Sequence, residues 1–84
     1  YISDTVSSLR LDCIVASAFG LSRKKAAEAI NRGIVFVDHV EVTKADAQVE
    51  EGSSIVLRGK GKARLAEIGG RSRKDRQYIS IEKY

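Results

Sequence analysis

Apolar positions in the first third of this chain recur with helical spacing. Leu11, Ile14, Val15 and Ala18 fall on one stripe, with Arg10 and Asp12 off it, which predicts a helix over residues 10–19 that Gly20 ends. A second helix is predicted over 22–32, with Leu21 and Ser22 leading into it. Ala26, Ala29 and Ile30 share one face, and Lys24, Lys25, Glu28 and Arg32 share the opposite one. Ser22 is a suitable N-cap, because its hydroxyl accepts from an otherwise unpaired first-turn amide. Gly33 is a suitable C-terminal residue, because glycine enters the left-handed region without cost. So short a connection forces the helices to cross steeply, as in a helix-turn-helix.

From Ile34 the period shortens to that of strands. Ile34–Val37 is a continuous apolar run, Asp38-His39 a turn, and Val40–Thr43 an alternating, half-buried partner strand. Val49–Gly52 reads as a turn before a strand at 54–58, and Gly59-Lys60-Gly61 as a break before an extended segment at 62–68. Residues 69–76 form a polar loop, and Gln77–Lys83 is a last strand with Ile79 and Ile81 facing in. The β-prone Thr5–Leu9 segment reads as a short edge strand. Phe19 and Phe36 fit core positions. The expected fold is α+β, with two short helices in a helix-turn-helix-like arrangement on an antiparallel sheet of four to five strands.

Eighty-four residues, 43% of them hydrophobic, suit one folded domain, 1–84. The lone Cys13 has no disulfide partner and reads as a small semi-buried side chain in a reducing, cytoplasmic setting. No apolar run is long enough to span a bilayer, no signal-peptide pattern is present, and a membrane is not expected as partner. The absence of methionine predicts a fragment of a longer protein.

Catalytic chemistry finds no support. His39 is the only histidine and sits in a predicted exposed turn, with nothing to orient it as a base. One Cys and one His fit no metal-ligand spacing. Gly59-Lys60-Gly61 lacks the remaining glycine of a dinucleotide fingerprint and the Lys-Ser/Thr pair of a P-loop. Neither an enzyme, a cofactor, a metal nor a small-molecule substrate is expected.

Charge is more informative. The net charge is +4, yet residues 58–76 alone carry +6 and the remainder −2. Asp38, Glu41, Asp46, Glu50 and Glu51 face only Lys44 in the 38–51 segment. One basic and one acidic side suit docking on phosphates in a fixed orientation. The helix 22–32 can neutralise part of its own charge through Glu28, which lies i±4 from Lys24 and Arg32. Its basic face gains weight from the second block, in which Arg58, Lys60 and Lys62 alternate with glycines and a mobile cationic arm spans 71–76. No strand carries the aromatic pair that stacks single-stranded bases, so structured RNA is the expected ligand, with Tyr78 as the one candidate stacker. A DNA-reading helix-turn-helix is the weaker alternative, since the start of helix 22–32 offers no Asn or Gln for bidentate base contacts. A protein-interaction module with an acidic partner is another.

Arg10-Leu11-Asp12, Leu21-Ser22-Arg23-Lys24-Lys25-Ala26 and Ile30-Asn31-Arg32-Gly33-Ile34-Val35-Phe36-Val37, in that order, resemble the S4 RNA-binding domain, or αL-motif fold, over a core of 9–57. Arg58–Leu65 and Gly70–Arg76 resemble the C-terminal extension, here 58–84, of YlmH-type proteins of Gram-positive bacteria. The resemblance implies a non-catalytic domain that docks ribosomal RNA of the large subunit, with tRNA nearby, in ribosome-associated quality control, and a link to cell division. Carried over by position, the RNA surface comprises Arg10, Ser22, Arg23, Lys24, Lys25 and Arg32, adjoined by Arg58, Lys60 and Lys62, with Arg73 and Lys74 from the basic loop. Asp12 is expected to orient a basic neighbour or the helix start. Where S4 domains commonly place Asn-Gly, this chain has Asp38-His39, which predicts a looser or longer turn.

Overall fold

Gly20 reverses the chain between two helices, α1 (Leu11–Phe19) and α2 (Arg23–Asn31). Its φ of 66° is what a left-handed cap requires, and it lets the amides of Gly20 and Leu21 both donate to the carbonyl of Ala16. In the computed structural model, which describes residues 1–84, α1 starts at Leu11, one residue later than the periodicity suggests. Arg10 occupies the N-cap position without a side-chain cap. Two first-turn amides are satisfied by tertiary bonds instead, Leu11 to the Ala47 carbonyl (2.7 Å) and Asp12 to that of Ala45 (3.0 Å).

Helix α2 keeps the predicted signals. Ser22 accepts from the Lys25 amide at 3.1 Å, and Gly33, at φ 79°, follows the C-terminal Arg32. Replacing Ser22 by Ala should cost about 1 kcal/mol. For a domain of this size that is a fall in Tm of roughly 4–8 °C, read by thermal circular dichroism.

Six strands, one or two more than expected, form a single antiparallel sheet: β1 (Ile2–Val6), β2 (Val35–Val37), β3 (Val40–Glu41), β4 (Ser54–Leu57), β5 (Gly61–Arg71) and β6 (Gln77–Lys83), in the order β1-β6-β5-β4-β2-β3. Edge strand β1 begins earlier than the Thr5–Leu9 segment suggests and pairs Ile2 with Ile81 and Val6 with Gln77. Its apolar alternation is interrupted by Asp4, which accepts a hydrogen bond from the Ser17 hydroxyl of α1. Strand β5 runs on through Gly69 and Gly70, so the expected 69–76 loop shrinks to residues 72–76. Register shifts after Leu65 and Ile68 absorb the extra residues.

The β2–β3 connection is a tight two-residue turn, contrary to the looser one expected. Val37 pairs with Val40, and Asp38 and His39 both have positive φ (49° and 70°), as a primed hairpin turn requires. Aspartate tolerates this region, and Asp38 is anchored twice: its amide donates to the Ser54 carbonyl and its carboxylate accepts from the Ser54 amide, each at 2.9 Å. Strand β3 is shorter than the Val40–Thr43 expectation and exposed rather than half-buried, Val40 being 63% accessible on the sheet edge.

The core lies between the helices and one face of the sheet. Leu11, Ile14, Val15 and Ile30 meet Val35, Ile55, Leu65 and Ile81 there, all fully buried, with Phe19 beside them. Phe36 does not join them. Val35 points inward, so Phe36 alternates to the opposite face, where it is half-buried and paired to Val56 and Glu41. Cys13 is buried more deeply than expected, at 4% exposure, with its sulfur 3.7 Å from the Ser7 hydroxyl.

Candidate nucleic-acid interface

The run of α2 into β2, and the pairing of β2 with β4, bring two distant basic segments together. Arg58, just past the end of β4, donates its amide to the Ile34 carbonyl (2.9 Å), and the Ile34 amide reaches back to Ala29 in α2 (3.4 Å). The 58–60 turn, with Gly59 at φ 86°, therefore stands beside the helix. Between them runs a groove of about 450 Å³ lined by Lys25, Glu28 and Arg32 from α2 and by Arg58, Gly59 and Lys60 from the turn, with Leu21, Ala29, Ile34 and Leu57 beneath.

The four cations of this groove are free to meet a ligand. The ion pairs of Glu28 with Lys24 and Arg32 that the i±4 spacing suggests do not form, and the pairs in the structure are Arg10–Asp12, Arg23–Asp12, Arg64–Glu82 and Arg71–Asp75. Lys25, Arg32, Arg58 and Lys60, like Lys24 beside them, thus have no carboxylate within 4.0 Å. Four unpaired cations around one concave surface create a local positive potential in which an anionic backbone is held better than on a flat face.

Arg10 and Arg23 are placed differently, by one buried carboxylate. Arg10 grips Asp12 with Nε at 3.2 Å and Nη2 at 3.1 Å, Arg23 approaches it at 3.5 Å, and the Cys13 amide donates to it at 2.8 Å. Burial pushes the Asp12 carboxyl up, but the hydrogen bonds and charge of Arg10, then the charge of Arg23 and the Cys13 amide, more than offset this and hold it below the ordinary carboxylate range. Asp12 orients two basic neighbours, as the helix-start reading expects, and it does so from a buried position that its place off the apolar stripe does not suggest.

The remaining candidates lie elsewhere. Lys62 points to the outer face of the sheet, since Ala63 points in, and its ammonium sits 5.6 Å from the Tyr84 ring centre. Arg73 and Lys74 are exposed in the 72–76 turn and line neither this groove nor the one beside β1. That turn is a short hairpin connection: Ser72 and Arg76 bond through their backbones (2.7 Å), and Arg71 pairs with Asp75 (3.3 Å). Tyr78 is half exposed on the outer face, beside Gly69. Arg76, which the sequence pattern does not single out, donates to the Thr5 carbonyl (2.7 Å) and hydroxyl (3.1 Å). Its position depends on the pairing of β1 with β6, which no local pattern encodes.

A two-helix corner on an antiparallel sheet, with a cationic groove at its flank, is the build of a small RNA-binding module. The S4 domain model matches residues 9–55, and the chain belongs to that RNA-binding family. It is 38% identical over 80 residues to the ribosome-associated protein quality control protein P2 of Bacillus subtilis (strain 168), a match covering 95% of this chain and 31% of that protein. The chain therefore spans just under a third of that relative's length. Its fold also resembles part of a crystal structure of a pseudouridylate synthase, with a TM-score of 0.59 and 28% identity, covering 76% of this chain and 27% of that one.

Proposed function

We propose that this chain is the non-catalytic RNA-docking domain of a YlmH-like, ribosome-associated quality control factor, acting on the large ribosomal subunit in the cytoplasm with tRNA nearby. The observation that carries the reading is the groove in which Lys25 and Arg32 face Arg58 and Lys60 without carboxylate partners. The name of the Bacillus relative supports the ribosomal setting. Helix α2 lies against the RNA backbone, and Arg10 and Arg23, held by Asp12, extend the contact along the same helical corner. Lys24 and Ser22 flank it, and Lys62 on the outer face, with Arg73 and Lys74 in the turn, meets more distant phosphates. Contacts of this type fix position and orientation through charge, with little base reading.

Sedimentation with purified ribosomal subunits tests the proposal. Binding to the large subunit is expected, weakening with salt at a log–log slope of about −4 to −7, as for roughly five to eight neutralised phosphates. Binding to neither subunit by the folded chain, or a slope near zero, would overturn it.

A further inference from the structure

A second groove opens on the other side of Leu21, the residue that lines both. It lies between β1, α1 and the start of α2, and its volume of about 340 Å³ is at the lower end of the range for small-ligand sites, about 300–1,000 Å³. That is room for one nucleotide and far too little for a duplex. Its walls are apolar at Val6, Ala16 and Leu21, and its rim carries Arg23 and Arg76 with Asp4 and Ser7.

Both arginines have a partner behind them, Arg76 the firmer one. Arg23 is held by Asp12 at 3.5 Å and Arg76 by the Thr5 carbonyl and hydroxyl at 2.7 and 3.1 Å. A guanidinium has five N–H donors, so each keeps several for a ligand while its partner biases its direction. The rim is mixed: Asp4, engaged by the Thr5 amide (2.8 Å) and the Ser17 hydroxyl (2.6 Å), shares it with the two arginines and keeps acceptor capacity. A bare anion needs donors alone. A nucleotide presents a flat apolar ring, a base edge with both donors and acceptors, and a phosphate, and this lining answers all three.

We propose that this groove receives a single unpaired nucleotide, extruded from the RNA whose paired segment lies against α2, with its base on Val6, Ala16 and Leu21 and its phosphate on Arg23 and Arg76. The inference rests on the RNA-docking reading above and adds to it a class of target, a helix interrupted by a bulge. Unstacked nucleotides are the usual points at which proteins read RNA closely, because paired bases hide their edges in a deep groove. Both grooves border Leu21, which puts them within reach of one RNA.

The test compares a plain RNA hairpin with hairpins that carry one bulged nucleotide, moved stepwise along the stem and varied among the four bases. Affinities for the 84-residue chain are read by fluorescence anisotropy at fixed salt. At least one bulged hairpin is expected to bind roughly fivefold to twentyfold more tightly than the plain one, equivalent to about 1–2 kcal/mol. Arg76→Gln, which leaves the core untouched, and Ala16→Leu, which fills the groove, should each abolish that preference while plain-hairpin affinity stays within about twofold. Tight but equal binding of every hairpin, or a preference that survives Arg76→Gln, overturns the nucleotide site and leaves the docking surface standing. Failure of every hairpin to bind, plain or bulged, overturns the docking reading and this inference with it.

Discussion

Reversing both Lys25 and Arg32 to glutamate is expected to lower affinity for structured RNA about a hundredfold or more near 0.1 M salt, since like charges brought together across an interface cost several kcal/mol. Each reversal removes a cation and adds an anion, in a groove whose other wall, Arg58 and Lys60, then pairs with the new carboxylates instead of with phosphate. The slope of log K against log salt should become shallower by about two or more, roughly one unit for each phosphate no longer neutralised. Both side chains are exposed, so the core is not disturbed. Glutamate at the C-terminal end of α2 opposes the helix dipole, at a cost of about 0.3–1 kcal/mol. Tm should therefore fall by a few degrees only, and the far-UV circular dichroism spectrum should be unchanged. A variant that unfolds, or one that folds and binds RNA as before, would remove these residues from the interface.

Asp12 is the position where one substitution should affect stability and binding together. Replacing it by alanine takes away the acceptor of the Cys13 amide and the shared anchor of Arg10 and Arg23. Both arginines are partly exposed and rehydrate, so the cost is set by the buried amide and the missing charge-assisted bonds, about 2–3 kcal/mol. At roughly 4–8 °C per kcal/mol, Tm should drop by about 10 °C or more. Asparagine keeps an oxygen for the amide and should cost less, isolating the charge.

The pH dependence follows from the direction of the shift. The folded carboxyl titrates below its unfolded value, so the stabilisation is complete above about pH 4 and is lost as pH falls through the lower, folded value. Denaturant unfolding between pH 7 and pH 2 should show the gap between the native chain and Asp12→Asn narrowing only at the acid end. A constant gap would mean that the Asp12 charge contributes nothing. RNA affinity should fall several-fold in both variants at neutral pH, because Arg10 and Arg23 lose their fixed direction.

Both helices are legible in the sequence because their signals are local: an apolar stripe at 3.6 spacing, Gly20, the Ser22 cap and Gly33. The α+β class follows from the change of period at Ile34. What local patterns misplace depends on neighbours in space. Residues 69–71 have loop composition, yet they extend β5 because β6 lies opposite and a register shift takes up the slack. Asp38-His39 makes a tight turn because Ser54 offers both of its backbone groups to Asp38. Phe36 carries no mark of the face it takes, since the whole Ile34–Val37 run is apolar.

The candidate site divides in the same way. The basic face of α2 is evident from the sequence, whereas its partnership with Arg58 and Lys60 arises from the pairing of Val35 with Leu57. The same pairing logic separates Lys62 from that groove, because alternation turns it to the other side of the sheet. Arg76 reads locally only as one more charge of the 71–76 segment, and nothing local marks its partner Thr5, which lies at the far end of the chain.

The peptide of Ile34 works as a caliper. One of its groups is fastened to α2 and the other to the residue after β4, so the two jaws that carry Lys25 and Arg32 on one side and Arg58 and Lys60 on the other are pinned at a common pivot. The backbones of the two jaws are thus tied to each other within the fold, while their long side chains keep their reach. On the RNA-docking reading, the pivot should favour RNAs whose phosphates lie at the spacing of the two jaws over RNAs of equal charge and different spacing.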